Sequence, residues 1–353
     1  MGASRRLRAA IYVNVAALLL LASYVLSQAF PSSEAVRLRN ALLIETGSRA
    51  DFEWAPEQMP RRFKAERRAA PAEFVSAVRA AGADGAAGDR EKALALAGAL
   101  TRSARDGGPI QSDLASTYSG IVGEGRGYCA DFTNVYLALA NAAGLTAREW
   151  GFSFDGFGGH GHAIVEVFDR QLGKWMFLDV FNNVQALDRD SGMPLSALEF
   201  RDYVLGKRAA PAIVPIGPGR AGYKLEHKLV EYYRQGAAEW YLWLGNNVYT
   251  YDAHPLVRTA GRLSRPLEQL AAMAVGVHPG IMVLAVPENE GQRQRMARLK
   301  RTLTGAALAA AMLLLVLAAL VTAALTRLRL PVSGMDGVPA TPAEAGQRGR
   351  SPT

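Results

Sequence analysis

Two long apolar segments constrain the fold of this chain more than any other feature. Residues 11–30 follow a basic N-terminus, and residues 302–325 contain no charged side chain. A helix needs about 20 apolar residues to cross the hydrocarbon core of a bilayer. The sequence therefore predicts two transmembrane helices, with the rest of the chain folded between them.

The first apolar segment has two interpretations. It is either a retained signal anchor or a cleaved signal peptide, because Ser27 and Ala29 place small residues at the spacing of a cleavage site. In both cases the basic residues 1–10 stay in the cytoplasm. We therefore expect a protein of the cytoplasmic membrane whose central region is extracytoplasmic, or periplasmic.

The net charge of +8 fits the same interpretation. No zinc-finger, RNP-type or basic-zipper pattern is present, so we expect no nucleic-acid partner. Much of the positive charge instead flanks the apolar segments, as it does in membrane proteins. These residues are Arg5, Arg6, Arg8, Arg293, Arg295, Arg298, Lys300 and Arg301. The last five oppose the predicted orientation, since they precede the second span, but the first span usually dominates topology.

The order of these features predicts a domain organisation. The predicted parts are a cytoplasmic N-terminus (1–10), a transmembrane helix or signal anchor (11–30), a helical lead-in (31–88), an α+β core (89–190), a C-terminal helical and aromatic extension (191–301), a transmembrane helix (302–325) and a disordered tail (326–353).

Within the extension, residues 225–251 are predicted to be a helix crowded with aromatic side chains. These aromatics have two interpretations, ordinary core or an interfacial belt facing lipid. The apolar run from Gly280 is predicted to be a strand or an insert near the membrane.

Within the α+β core, a strong helix pattern begins at Cys129, the only cysteine in the chain. Apolar residues recur from there at three- and four-residue spacing up to Gly144, which is typical of a helix with a glycine cap. Three strand-like runs follow, at 146–154, 162–168 and 174–181, separated by turn-rich linkers. We expect one helix packed on an antiparallel sheet.

The same pattern places chemically useful residues together. Thiol nucleophiles react as thiolates, which a helix N-terminus favours. His162 opens the second strand and Asp179 lies near the end of the third, so antiparallel pairing brings these two side chains together. Packing the helix of Cys129 on that face would complete a Cys–His–Asp arrangement.

Four ordered blocks of sequence carry a family resemblance: "GYC", "AAGLTAR", "GHAIVEV" and "WMFLD". Together they resemble the core of the transglutaminase-like superfamily, a papain-related thiol fold. The resemblance implies that Cys129 is the nucleophile, His162 the general base and acid, and Asp179 the residue that holds the imidazole. It also implies that the Cys129 backbone N–H contributes to an oxyanion site. Val180 departs from the family, which often has proline after the aspartate.

Each of these residues also has a plainer interpretation. A lone cysteine is often a buried core residue, His162 is then a packed strand residue, and Asp179 caps the turn before "NN". His160 and His162 form an H-x-H pattern that zinc sites use, but no second cysteine exists, so we expect no metal and no cofactor.

Four further residues are predicted to have structural roles. Arg148 and Glu166 match family positions expected to be structural and able to form an ion pair, and Tyr128 and Trp150 are expected to pack near the cleft.

The resulting functional prediction is a membrane-anchored cysteine hydrolase or acyltransferase. It would cleave or transfer amide acyl groups through a Cys129 thioester. An exported position makes envelope proteins and peptidoglycan peptides the natural substrates. The alternative is a non-catalytic binding or scaffold module of an envelope assembly, since a fold does not fix a function.

Overall fold

The structure, a computed structural model, describes residues 2–105 and 107–329. The first four residues of the predicted disordered tail (326–353) are helical, and the rest of the tail, from residue 330 onward, lies outside the described residues. The described chain divides into two compact units, one of residues 2–24 and 306–329 and the other of residues 25–305. Only the second unit contains the residues singled out above for chemistry.

Both predicted spans are helical. Helix α1 covers Gly2–Ser27 and helix α12 covers Glu290–Arg329. Each is long and apolar enough to cross a bilayer, by length and composition. These helices support an association with a membrane, and the side of the membrane on which residues 25–305 lie stays a prediction.

The second unit is built on one eight-stranded sheet, in agreement with the predicted α+β class. Its spatial order is β1-β8-β7-β2-β3-β4-β5-β6, and every neighbouring pair is antiparallel except β1 and β8. The strands are β1 (Ile44–Gly47), β2 (Ala147–Ser153), β3 (Gly161–Asp169), β4 (Lys174–Asp179), β5 (Val184–Leu187), β6 (Ala212–Pro215), β7 (Trp240–Leu244) and β8 (Gly280–Leu284).

Ten further α-helices belong to the described part of this unit. They are α2 (Ser32–Leu43), α3 (Ala72–Ala80), α4 (Asp89–Thr101), α5 (Leu114–Ser119), α6 (Cys129–Ala142), α7 (Ala197–Val204), α8 (Glu226–Gln235), α9 (Val248–Asp252), α10 (Pro255–Gly261) and α11 (Arg265–Ala274).

Helix α6 is the element that positions the cysteine. Its predicted apolar positions, among them Phe132, Val135 and Tyr136, are fully buried in a core shared with β3 and β4. Gly144 follows with φ +70°, the left-handed conformation that glycine adopts without a Cβ penalty. The predicted helix and its cap are therefore confirmed.

The prediction of one helix over residues 225–251 is wrong. The segment forms α8, then β7, then α9. Strand β7 has the sequence "WYLWL" and pairs with β2 on one side and β8 on the other, so partners distant in sequence decide its conformation. Several of the aromatics are buried, including Tyr233, Trp240 and Tyr249, which confirms the interpretation of them as core.

The segments that flank the predicted core (89–190) also supply strands to its sheet. Strand β1 comes from the lead-in, and β6, β7 and β8 come from the C-terminal extension. The predicted strand at Gly280 is confirmed as β8. The two flanks, predicted to be helical, thus complete one sheet, while the domain boundaries at 89 and 190 stay predictions.

Candidate active site

Cys129 is the first residue of α6 and is partly exposed to solvent. Asp131, which is buried, fixes this helix start by accepting the backbone N–H groups of Tyr128 at 2.8 Å, Ile110 at 3.0 Å and Gln111 at 3.0 Å. The N–H of Cys129 belongs to the first turn, whose donors have no partner inside the helix. The thiol thus stands beside a backbone donor at a rigid helix N-terminus.

His162 and Asp179 meet through the pairing of β3 with β4. The register places Val165 opposite Leu178, so the start of β3, which carries His162, and the end of β4, which carries Asp179, lie at the same end of the sheet. There His162 Nε2 lies 2.6 Å from Asp179 Oδ2, and both side chains are buried. The antiparallel pairing predicted from the spacing is confirmed in this geometry.

The thiol of Cys129 completes the contact. It forms a side-chain hydrogen bond with His162. Both Asp179 and Asn182 contact Nε2 of that ring, which leaves Nδ1 for the sulfur. The structure therefore brings together all three residues that the sequence singled out, while their roles in a reaction stay a proposal.

The surrounding charges polarise this arrangement. Burial lowers the pKa of His162, but the charges of Asp179 and Cys129 and the hydrogen bonds to both outweigh it and raise the pKa from 6.5 to about 10. Burial raises the pKa of Asp179, but His162, the Asn182 backbone N–H and Tyr233 lower it overall. At neutral pH the imidazole, which lies between the Asp179 carboxylate and the Cys129 sulfur, is therefore cationic.

Two residues that sequence reasoning missed also bind Asp179. Asn182 donates its backbone N–H to Oδ1 at 2.9 Å and its side-chain amide to Oδ2 at 2.7 Å. Tyr233, on α8, donates its hydroxyl to Oδ2. Asn182 follows Asp179 in the "NN" turn, so the turn-capping interpretation of Asp179 describes a real contact that coexists with the one to His162.

Aromatic rings enclose the imidazole. The His162 ring centroid lies 5.4 Å from that of Phe152, 5.9 Å from Phe181 and 5.4 Å from Tyr232. Burial, followed by the charges of Cys129 and Asp179, raises the pKa of Tyr232, so its hydroxyl stays protonated. These rings lower the local dielectric and strengthen the interaction of the imidazole with both partners.

The other residues predicted near the site take structural positions. Arg148 Nε donates to Glu166 at 2.8 Å in full burial, so the expected ion pair is confirmed, and Trp150 donates to the same carboxylate. Tyr128 is half exposed beside Cys129. His160 is 75 % exposed and lies 3.3 Å from Asp155, away from His162. Among the described residues no cluster of three or more His, Cys, Asp or Glu side chains is placed to hold a metal.

A cysteine at the start of a helix, packed against a histidine and an aspartate on neighbouring antiparallel strands, defines a papain-like thiol fold. Comparison with protein families narrows the class. Residues 75–180 match the family model of the transglutaminase-like superfamily, so the chain carries a core of this superfamily. No curated protein and no solved structure gives a significant match.

Proposed function

We propose that this protein is a membrane-associated thiol enzyme that transfers amide acyl groups through a Cys129 thioester. The observation that carries the proposal is the continuous contact from a partly exposed sulfur to a buried imidazole and a buried carboxylate. Such an arrangement activates a thiol, because an adjacent imidazolium stabilises the thiolate. A cysteine that only fills space in a core does not require a neighbouring imidazole and carboxylate.

The proposed reaction has two steps. The Cys129 thiolate attacks the amide carbonyl carbon, the C–N bond breaks, and the imidazolium of His162 gives its proton to the leaving amine. Water or a second amine then attacks the thioester carbonyl carbon, His162 takes a proton from that nucleophile, and the C–S bond breaks to release the Cys129 thiolate. Asp179 keeps the imidazole oriented and charged, and the Cys129 backbone N–H stabilises the oxyanion.

The proposed substrates are peptide or protein amides of the cell envelope. The support is the pair of helices α1 and α12, each of which is long and apolar enough to cross a bilayer by length and composition. With the N-terminus in the cytoplasm, this unit would face envelope proteins and peptidoglycan peptides. The proposed class is therefore a cysteine hydrolase or acyltransferase on the outer side of the cytoplasmic membrane.

The test uses the fact that every thiol label reports on Cys129. We expect iodoacetamide to alkylate the native protein at pH 6 at least about 100-fold faster than a His162→Gln variant, because the variant lacks the imidazolium. His160→Gln is the matched control, since this exposed histidine lies two residues away, and it should alkylate like the native protein. Equal rates for native and His162→Gln protein would contradict the proposal and favour a binding module.

A second measurement separates transfer from hydrolysis. The native protein is incubated with an amide peptide library and a fluorescent primary amine, and products are identified by mass spectrometry. Amine-linked peptides indicate acyl transfer, and free acids indicate hydrolysis. Cys129→Ala protein should give neither product.

A further inference from the structure

The helical hairpin formed by α10 and α11 exposes an unusual amount of apolar surface. Its inner face is buried through Val257 and Ala272. Four leucines on the rest of its surface are exposed: Leu256 by 51 %, Leu263 by 76 %, Leu267 by 45 % and Leu270 by 56 %. Single exposed leucines need no explanation, but four on one hairpin of about 20 residues are an amount of exposed apolar surface typical of interaction sites.

Contacts within residues 25–305 connect the hairpin to the part of α12 that belongs to the same unit. Leu303, just before Gly305, belongs to the same apolar cluster as Trp243 of β7. The ring of Trp243 contacts His278, and His278 contacts Tyr251. Tyr251 in turn hydrogen-bonds Glu268 of α11. A series of contacts therefore links α11 to Leu303, the second residue of the predicted span 302–325.

The charge of the patch indicates what covers it. Arg258 and Arg262 are exposed among the leucines, whereas none of the exposed residues of 253–276, all of which are described, is acidic. Glu268 is 12 % exposed and is neutralised by Arg265 at 2.6 Å. Leucines interspersed with arginines match an anionic lipid surface, where leucines enter the headgroup region and arginines bind phosphates. A second copy of the same cationic face would repel it.

We propose that the α10–α11 hairpin is an interfacial surface that rests on anionic lipids of the membrane that holds α1 and α12. This inference rests on the membrane association in the proposed function. It is independent of the chemistry proposed for Cys129. Its consequence is that residues 25–305 are docked on the bilayer by a third contact, in addition to the two chain connections.

The experiment places a fluorescent NBD label on single cysteines in the full chain, in a Cys129→Ser background. The label sites are Leu267→Cys and Leu270→Cys in the hairpin, with Leu315→Cys on α12 as the buried-in-lipid reference. Leu172→Cys, an exposed leucine in the turn between β3 and β4, is the aqueous control. The protein is reconstituted in nanodiscs of phosphatidylcholine with or without 30 % phosphatidylglycerol, with doxyl-labelled lipid as the quencher.

We expect doxyl lipid to quench the two hairpin labels at least about twofold more than the Leu172→Cys label, and more strongly when phosphatidylglycerol is present. Replacing Arg258 and Arg262 by glutamine should remove the effect of the anionic lipid. Hairpin labels that behave like Leu172→Cys while Leu315→Cys is quenched would overturn the proposal and leave the anchoring intact. An unquenched Leu315→Cys label would overturn both the lipid contact of the hairpin and the membrane anchoring through α12.

Contact of the hairpin with a second copy of the chain is distinguished from contact with lipid by the number of protein copies in each disc. If the hairpin labels shift to shorter emission wavelength only in discs that hold two protein copies, without quenching by lipid, the patch is a self-association face and the lipid proposal is overturned. Alkylation of Cys129 in the native protein is measured separately, so a failed acyl-transfer proposal does not alter this result.

Discussion

Asp179 collects four hydrogen bonds although its carboxylate is fully buried. His162, Tyr233 and two groups of Asn182 surround its two oxygens. A buried charge is tolerated only when its hydrogen-bonding capacity is satisfied. The aspartate is therefore held in one rotamer, and through it the imidazole is held in the orientation that presents Nδ1 to the sulfur.

Replacing Tyr233 by phenylalanine tests this arrangement. The lost donor should raise the pKa of Asp179. In the native protein this pKa is lowered, so the ionised carboxylate stabilises the folded state above about pH 4, and this stabilisation is lost as the pH falls through the pKa of the folded state. We expect Tyr233→Phe to slow alkylation of Cys129 about tenfold, a factor that corresponds to the free energy of roughly one hydrogen bond to a charged group. The acid limb of the rate profile should move to higher pH.

The measurement is the alkylation rate from pH 3 to pH 7. Tyr203→Phe is the control, because this partly buried tyrosine packs against Phe200 in the same aromatic cluster. A Tyr233→Phe profile that coincides with the control profile would show that the hydroxyl has no influence on the imidazole.

The loop that enters α6 depends on one glycine more than on its neighbours. Gly125 has φ +71°, and a Cβ there would lie 1.9 Å from the carbonyl oxygen of Ser103. Gly123, two residues earlier, has an ordinary φ, and a Cβ there would meet only open space. The "GEG" pair therefore contains one replaceable glycine and one that the fold requires.

We expect Gly125→Ala to destabilise the protein by about 2–4 kcal/mol, because it combines a left-handed backbone with a clash against backbone. It should also slow alkylation of Cys129 by displacing the start of α6. Gly123→Ala should lie within about 0.5 kcal/mol of native. The melting temperatures of the two variants are measured by thermal unfolding in the same detergent. Equal melting temperatures would contradict the assigned role of Gly125.

The pairing of β2 with β7 can be tested in the same way. Gly151 on β2 stands opposite Tyr241 on β7, and a Cβ at Gly151 would lie 2.4 Å from the tyrosine ring. Gly151→Ala should therefore cost about 1–3 kcal/mol through overpacking. The double variant with Tyr241→Ala should recover part of this cost, because the ring that clashes is gone.

A double-mutant cycle of unfolding free energies measures the recovery. Coupling of at least about 0.5 kcal/mol is expected if the two residues are cross-strand neighbours. Strictly additive effects would contradict the pairing and would leave the corrected position of residues 240–244 in the sheet without support.

The sequence predicted those elements whose partners are close along the chain. Helix α6 and strands β2, β3 and β4 follow one another with short connections, so local periodicity and turn residues were sufficient to place Cys129, His162 and Asp179. Strand β7 was missed because its pattern is uniformly apolar and aromatic, and its partner β2 lies about 90 residues earlier. Tyr233 was missed for the same reason: it reaches Asp179 across 54 residues.

Both flanks of the chain contribute strands to the sheet on which α6 packs. The family match covers residues 75–180, yet β2 is covered on its outer side by β7, from the C-terminal flank. Within that contact the ring of Phe152 stacks on that of Trp240 at 5.2 Å, and Tyr233 binds Asp179 from α8. Removing these flanks would expose an unpaired strand edge and several aromatic side chains.

The fragments 25–305 and 75–190 should therefore differ in cooperative unfolding and in the alkylation rate of Cys129. We expect residues 25–305 to unfold cooperatively and to keep the fast alkylation of Cys129 at pH 6, because this unit contains the whole sheet. Residues 75–190 should aggregate or lack cooperative unfolding, and their thiol should alkylate at the rate of an unfolded peptide. Thermal unfolding by near-UV circular dichroism and the alkylation rate provide the two measurements. A fragment 75–190 that folds and alkylates as fast as residues 25–305 would mean that the imidazole is positioned by α6, β3 and β4 alone, and that Tyr233 and β7 serve stability elsewhere.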